Sequence, residues 1–196
     1  MADSTFSSVA TSWIATLYPP AIGLRVGIRN LLTQWLGEPA RCHGFARWGF
    51  KEVRLGAAEA TLLHWLFPKA RFVLLSRSPY DCYRSLSDSG WRDVYHRCPD
   101  VPVDSAAMMA RHWNRIALSW SELAPGFPAF RIKYEDIISG RFDYRKLESW
   151  LGIEIKEEVA LSHCVGKTAR RTRLGWSERL IISREARPGM RFLGYS

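Results

Sequence analysis

The feature that most constrains the fold is a short apolar run that passes directly into a helix start. The run Phe72–Leu75 is typical of a short buried strand. After Arg77, the pair Ser78-Pro79 matches the residues preferred at the cap and first position of a helix. A strand that leads into a helix N-terminus, with an arginine at the junction and Ser85 on the helix, is typical of an anion-binding site. The alternative is an ordinary strand-to-helix turn whose arginine is solvated.

The rest of the chain alternates between helical and strand-like patterns. We expect the helices and strands at the following positions: helices over 5–36 (broken near Pro19-Pro20 and ended by Gly37), 57–67, 79–90, from Asp104 or Ser105 to 123, and 143–151; strands over 48–54, 71–76 and 129–134. Such alternation predicts an α/β protein whose parallel sheet is covered by helices on both faces.

The bulk composition predicts a single domain. The 196 residues, 47% of them hydrophobic, suffice for one well-packed core. We divide this domain into N-terminal helices (1–44), an α/β core (45–153) and a C-terminal helix and loop region (154–196). No apolar stretch is long enough to span a membrane.

The charge and the cysteine content indicate which kind of partner the protein binds and in which compartment it is found. The net charge of +9 favours an anionic partner, but the basic residues are spread along the chain, which makes nucleic acid an unlikely one. The four cysteines and five histidines show no metal-binding spacing. We therefore expect free thiols, a cytoplasmic location and no metal.

Four stretches, in chain order, resemble sulfotransferases that use 3′-phosphoadenosine 5′-phosphosulfate (PAPS). Arg77, Pro79 and Ser85 resemble the segment that binds the 3′-phosphate, with the same eight-residue spacing between arginine and serine. Residues 48–54 are similar to the strand that precedes this segment in many bacterial members. Residues 132–137 are similar to the family's Tyr-Glu-Asp strand end, and residues 147–153 to the short helix and Leu-Gly turn that follow it. The resemblance covers residues 45–196.

The resemblance implies a fold, an activity and a nucleotide site. The fold is a P-loop-like, three-layer α/β arrangement with a parallel sheet flanked by helices. The activity is transfer of a sulfonyl group from PAPS to a hydroxyl or amine of a small-molecule, sugar or peptide acceptor, without a metal. In the family the arginine and serine hold the 3′-phosphate, which assigns Arg77 and Ser85 this role. Tyr134 resembles the tyrosine that contacts the adenine; the alternative is a half-buried aromatic whose hydroxyl meets water.

Glu52 is the candidate catalytic base, with Lys51 and Arg54 as its catalytic companions. Alternation along the expected strand puts Glu52 and Arg54 on one side and Lys51 on the other. The pair is similar to the catalytic acidic residue and arginine of tyrosylprotein sulfotransferases, whereas many other members use a histidine. The alternative is a structural ion pair between Glu52 and Arg54.

A basic stretch near the C-terminus offers a second place for phosphate. Gly166–Thr168 copies the end of a Walker A loop, but Leu161 stands where its first glycine belongs and no strand precedes it, so we reject a P-loop there. In many sulfotransferases a basic C-terminal loop closes on the 3′-phosphate, which implies a binding role for Arg170 and Arg171. The alternative is solvated surface charge.

The family's N-terminal loop of the type Arg-Ser-Gly-Thr, which binds the 5′-phosphosulfate, has no counterpart in the sequence. Truncation or an alternative start, a loop supplied by another polypeptide, and loss of transfer activity each account for this. The last would make the protein a non-catalytic nucleotide-binding or assembly module. Without the first strand, loop and helix, the sheet would expose an edge, which a homo- or hetero-oligomer would cover.

Overall fold

A computed structural model describes residues 20–89, 103–155 and 173–195. These residues fall into two compact units, which are described separately below. Of the described residues, the first unit contains 20–53 and Leu62–Pro68, and the second contains Arg54–Thr61, 69–89, 103–155 and 173–195.

The described residues form nine α-helices, one π-helical turn and two strands. In chain order they are α1 (Ala21–Leu32), the π turn (Thr33–Gly37), α2 (Glu38–Cys42), α3 (Ala57–Leu66), β1 (Phe72–Ser76), α4 (Pro79–Ser89), α5 (Ala106–Ser119), β2 (Ala129–Lys133), α6 (Tyr134–Ile138), α7 (Tyr144–Leu151), α8 (Trp176–Glu185) and α9 (Arg187–Leu193). None of these helices is both long and apolar enough to cross a membrane.

The first unit corrects the expectation that Gly37 ends the N-terminal helix. The chain instead passes through the π turn and continues helically to Cys42. A Cβ at Gly37 would lie 2.9 Å from Nε1 of Trp48, closer than a side-chain carbon tolerates. The glycine is therefore required for the close approach of Trp48, not for helix termination.

The expected strand over 48–54 is wrong, since these residues are irregular. A strand needs a neighbour for its backbone groups, and in the described part of the chain the sheet consists of β1 and β2 alone. At Val53 the backbone N–H instead donates to Oε1 of Glu52, 2.8 Å away. Such a local side-chain bond competes with a strand ladder. Strand alternation therefore does not apply to Glu52 and Arg54.

The second unit contains the parallel pair that the sequence predicts. β1 and β2 run in register from Phe72↔Ala129 to Ser76↔Lys133. Leu74 and Ile132 are buried, whereas Val73 is 42% exposed. The parallel sheet flanked by helices is confirmed, and Val73 lies on its less covered face.

Helices α4, α5, α8 and α9 pack together and form the main core of this unit. Ser105 caps α5, as expected, because its hydroxyl accepts a hydrogen bond from the N–H of Met108 at 3.3 Å. The core residues come from these helices and their flanks: Tyr83, Leu86, Val103, Ala106, Met109, Ala110, Leu174, Ile182, Ala186 and Met190. This helical layer supports the carboxyl ends of the strands, where the candidate site lies.

Candidate functional site

The strand register brings two distant motifs together. Ser76 and Lys133 are paired at the ends of β1 and β2, so the next residues, Arg77 and Tyr134, lie side by side. The guanidinium carbon of Arg77 lies 4.6 Å from the centroid of the Tyr134 ring, a cation–π arrangement. The sequence predicts Tyr134 as the last residue of its strand, but it is the first residue of α6. The two residues form a cationic and aromatic pair at the carboxyl edge of the sheet, where ligands of α/β proteins bind.

The Arg77 side chain carries unused hydrogen-bond donors. Its Nε and Nη2 atoms are buried and make no hydrogen bond within the described residues. Polar donors removed from water without an acceptor are costly. A guanidinium presents a planar fork of donors that matches a phosphate or sulfate group. The chemistry of this donor set therefore suits a bound oxyanion.

The backbone that carries Arg77 is fixed by its neighbours. The carbonyl oxygen of Arg77 accepts a hydrogen bond from Nε1 of Trp113 at 3.0 Å and a weaker one from the thiol of Cys82 at 3.7 Å. The N–H of Ser78 donates to Oε1 of Glu135 at 2.7 Å. Glu135 thus braces the turn between β1 and α4. The turn is held on both sides of Arg77 before any ligand arrives.

Ser85 lies on the helix that starts at this turn. The helix begins at Pro79 as expected, and the N–H of Cys82 donates to the carbonyl of Ser78. Ser85 is half-buried and three residues beyond Cys82, hence on the same helix face and about 4.5 Å further along the axis. The Cys82 thiol contacts the Arg77 carbonyl, so Ser85 lies about one helical turn beyond that contact on the same face of α4.

Tyr195 also belongs to this cluster, a contact that the sequence analysis missed. Its hydroxyl oxygen lies 2.9 Å from Oε2 of Glu135 and 3.1 Å from Oγ of Ser76. Burial raises the pKa of the Tyr195 phenol well above its usual range. The preceding Gly194, with φ near 70°, ends α9 in the left-handed conformation and is a local signal in the sequence. That signal marks a helix end and says nothing of the contact with Glu135.

The candidate catalytic residues remain predictions. Glu52 and Lys51 belong to the first unit, whereas Arg54 and Arg77 belong to the second. Glu52 is half-buried and Lys51 is exposed. The predicted nucleotide-binding residues of the C-terminal basic stretch, Arg170 and Arg171, lie outside the described residues.

Comparison with known proteins identifies the family. A family model described as the Sulfotransferase family matches residues 20–157, well over half of the 196 residues. The chain belongs to the sulfotransferase family. The match confirms the resemblance inferred from the four ordered stretches. No curated protein and no solved structure matches the chain significantly.

The matched range covers the geometry described above. It contains β1, the turn at Arg77, α4, β2 and α6. It ends before the C-terminal basic stretch and before Tyr195. This sulfotransferase therefore holds its arginine–tyrosine pair within the part of the chain that defines the family.

Proposed function

We propose that this sulfotransferase uses PAPS as its donor and holds the 3′-phosphate with Arg77 and Ser85. One observation carries the proposal: the buried Nε and Nη2 of Arg77 make no hydrogen bond within the described residues, at the carboxyl edge of a parallel sheet. An oxyanion would supply the missing acceptors and neutralise the guanidinium. Ser85, on the same face of α4 as Cys82, would add a hydroxyl donor.

Tyr134 has two tasks in this proposal. One face of its ring is covered by the Arg77 guanidinium, which holds that side chain in one orientation. The ring is also proposed to contact the adenine, and stacking of a base on an aromatic side chain contributes about 1–3 kcal/mol. The pair would thus read the base and the 3′-phosphate of one nucleotide together.

For the reaction, the bound donor supplies an activated sulfonyl group whose leaving group is 3′,5′-adenosine bisphosphate. A hydroxyl or amine of a small-molecule, sugar or peptide acceptor forms the new bond to sulfur while the bond from sulfur to the phosphate oxygen breaks. Glu52 is proposed to take the proton of the acceptor, a role worth about 10²–10⁴-fold in rate. Lys51 and Arg54 are proposed to offset negative charge on the sulfonyl and leaving-group oxygens.

A binding experiment tests the nucleotide site. Titration calorimetry with 3′,5′-adenosine bisphosphate and with 5′-AMP gives the preference of the wild type for a 3′-phosphate. We expect Arg77→Ala to reduce that preference about 10- to 100-fold, since hydrogen bonds to a charged group contribute about 1.5–3 kcal/mol and each 1.4 kcal/mol is tenfold. Binding of 5′-AMP should change little.

Arg141→Ala is the matched control. Its side chain is 71% exposed and pairs with Asp136 at the surface, so the variant removes the same charge at little energetic cost. The preference for the 3′-phosphate should survive this change. A wild type without the preference, or an Arg77→Ala variant that keeps it, contradicts the proposed site.

A further inference from the structure

The C-terminal tail contacts the strand ends through Lys133 and Tyr195. After α9 ends at Leu193, the carbonyl of Gly194 accepts a hydrogen bond from Nζ of Lys133 at 2.8 Å. The same ammonium lies 4.9 Å from the centroid of the Tyr195 ring. Since Lys133 is the last residue of β2, the tail is held at the carboxyl edge of the sheet.

The Tyr195 hydroxyl reaches the groups that flank Arg77 on both sides. It lies 3.1 Å from the hydroxyl oxygen of Ser76, the residue before the arginine. It also lies 2.9 Å from Oε2 of Glu135, whose other oxygen accepts from the N–H of Ser78, the residue after the arginine. A phenol has one proton and a carboxylate accepts only, so the phenol donates to Glu135.

The Tyr195 ring supports the third contact of the turn. It packs edge-on against Trp113, with centroids 6.1 Å apart, and Trp113 donates its indole N–H to the carbonyl of Arg77. Tyr195 therefore contacts Glu135 and Trp113, which hydrogen-bond to the backbone around Arg77. It differs in this from Tyr134, whose ring contacts the Arg77 guanidinium itself.

We propose that Tyr195 is a positioning residue for 3′-phosphate recognition. Its hydroxyl orients Glu135 toward the Ser78 amide, and this fixes the turn from which Arg77 projects. The inference rests on the proposed 3′-phosphate site and adds to it a residue that lies outside the range matched by the family model. The Tyr195 phenol is protonated at neutral pH even at the ordinary tyrosine pKa of about 10. Burial raises the pKa of this phenol further, so the donor to Glu135 is present at neutral pH.

The test compares Tyr195→Phe with a matched variant. Tyr195→Phe keeps the ring and its packing but removes the donor to Glu135. The control, Tyr83→Phe, removes another phenol–carboxylate hydrogen bond of the same unit, from Tyr83 to Oε1 of Glu178 at 3.2 Å. Tyr83 and Ser85 are two positions apart on α4 and hence on nearly opposite faces of it.

The readout is the ratio of affinities for 3′,5′-adenosine bisphosphate and 5′-AMP, measured by calorimetry alongside thermal unfolding. We expect Tyr195→Phe to reduce this ratio about 5- to 20-fold, the effect of weakening a partly buried hydrogen-bond network, with unchanged affinity for 5′-AMP. Tyr83→Phe should lower the unfolding temperature and leave the ratio unchanged, because a loss of stability alone does not alter discrimination between two ligands.

A double-mutant cycle tests the route through Glu135. In a Glu135→Ala background, Tyr195→Phe should change the ratio less than about twofold, since the group that it orients is gone. Suppose that the wild type prefers the 3′-phosphate. If the two substitutions then have additive effects, or if Tyr195→Phe leaves the ratio unchanged, the role of Tyr195 is overturned while the proposed function stands. A wild type that does not distinguish the two nucleotides overturns the proposed function together with this inference.

Discussion

Gly189, in the first turn of α9, provides a sharp test of how the helical layer is packed. A Cβ at this position would lie 2.9 Å from Oδ1 of Asn114, 3.0 Å from Cβ of Ala117 and 3.0 Å from Cζ3 of Trp113. Well-packed carbon atoms lie about 3.5–4.0 Å apart. The substitution Gly189→Ala therefore forces α9 away from α5 by several tenths of an ångström or more.

Two opposite effects determine the outcome. Alanine is favoured over glycine in a helix interior by about 1 kcal/mol, which would stabilise the variant. Inserting a methyl group into a well-packed core costs about 1–3 kcal/mol. Since Ala117 has no flexible side chain that can move aside, packing should dominate. We expect a net loss of about 1–2 kcal/mol, with a decrease in unfolding temperature of roughly 2–4 °C per kcal/mol for a chain of this size.

Thermal and urea unfolding, followed by far-ultraviolet circular dichroism, measure this difference. The matched control is Gly27→Ala, because Gly27 lies within α1 and a Cβ there would meet nothing within 4 Å. We expect this control to stabilise the unit that contains α1 by about 0.5–1 kcal/mol. A Gly189→Ala variant as stable as the wild type, or more so, would refute the close packing of α9 on α5.

Three further predictions concern stability and turnover. Asn114→Ala should lower the free energy of unfolding in urea by about 1–2 kcal/mol, because Oδ1 of Asn114 accepts a hydrogen bond from a first-turn N–H of α9 at 2.7 Å and α9 has no side-chain cap of its own. An unchanged urea midpoint would contradict this role. Glu52→Gln should lower the rate of sulfonyl transfer at least about 100-fold and leave nucleotide affinity unchanged; full activity would remove Glu52 from the mechanism. Hydrogen bonds from Arg111 and Arg184 lower the pKa of Glu185 from 4.5 to about 2. The stability that Glu185 adds is thus present above about pH 4.5 and is lost as the pH falls toward 2. In urea titrations, the difference in stability between wild type and Glu185→Gln should therefore shrink as the pH falls through this range. A difference that stays constant would contradict the pairing.

Several elements could be predicted from sequence because their signals are local. The β1–α4 junction is marked by an apolar run followed by Ser78-Pro79, and both elements form within one or two residues of the expected bounds. Ser105 and Asp143 each cap the helix that follows them, as side-chain oxygens at these positions do. Caps and apolar runs act over a few residues, so the sequence contains all the information that they need.

Other expectations failed because they depend on distant partners. The stretch 48–54 has the composition of a strand but pairs with neither β1 nor β2 and bonds locally at Glu52 instead. Gly37 resembles a helix terminator, yet the helix continues past it, and the glycine instead leaves space for Trp48. Neither the neighbour of a strand nor the packing around a glycine is encoded within a short window.

The sequence by itself determined the family and the residue most directly tied to an anion, Arg77, since ordered motifs and a strand-to-helix junction are properties of the chain. Only the tertiary structure decided what surrounds it. The parallel register places Tyr134 under the guanidinium. Folding of the C-terminal helices brings Tyr195 to Glu135 across 60 positions of sequence. Contacts between residues so far apart arise from the packing of whole elements, which local sequence patterns do not specify.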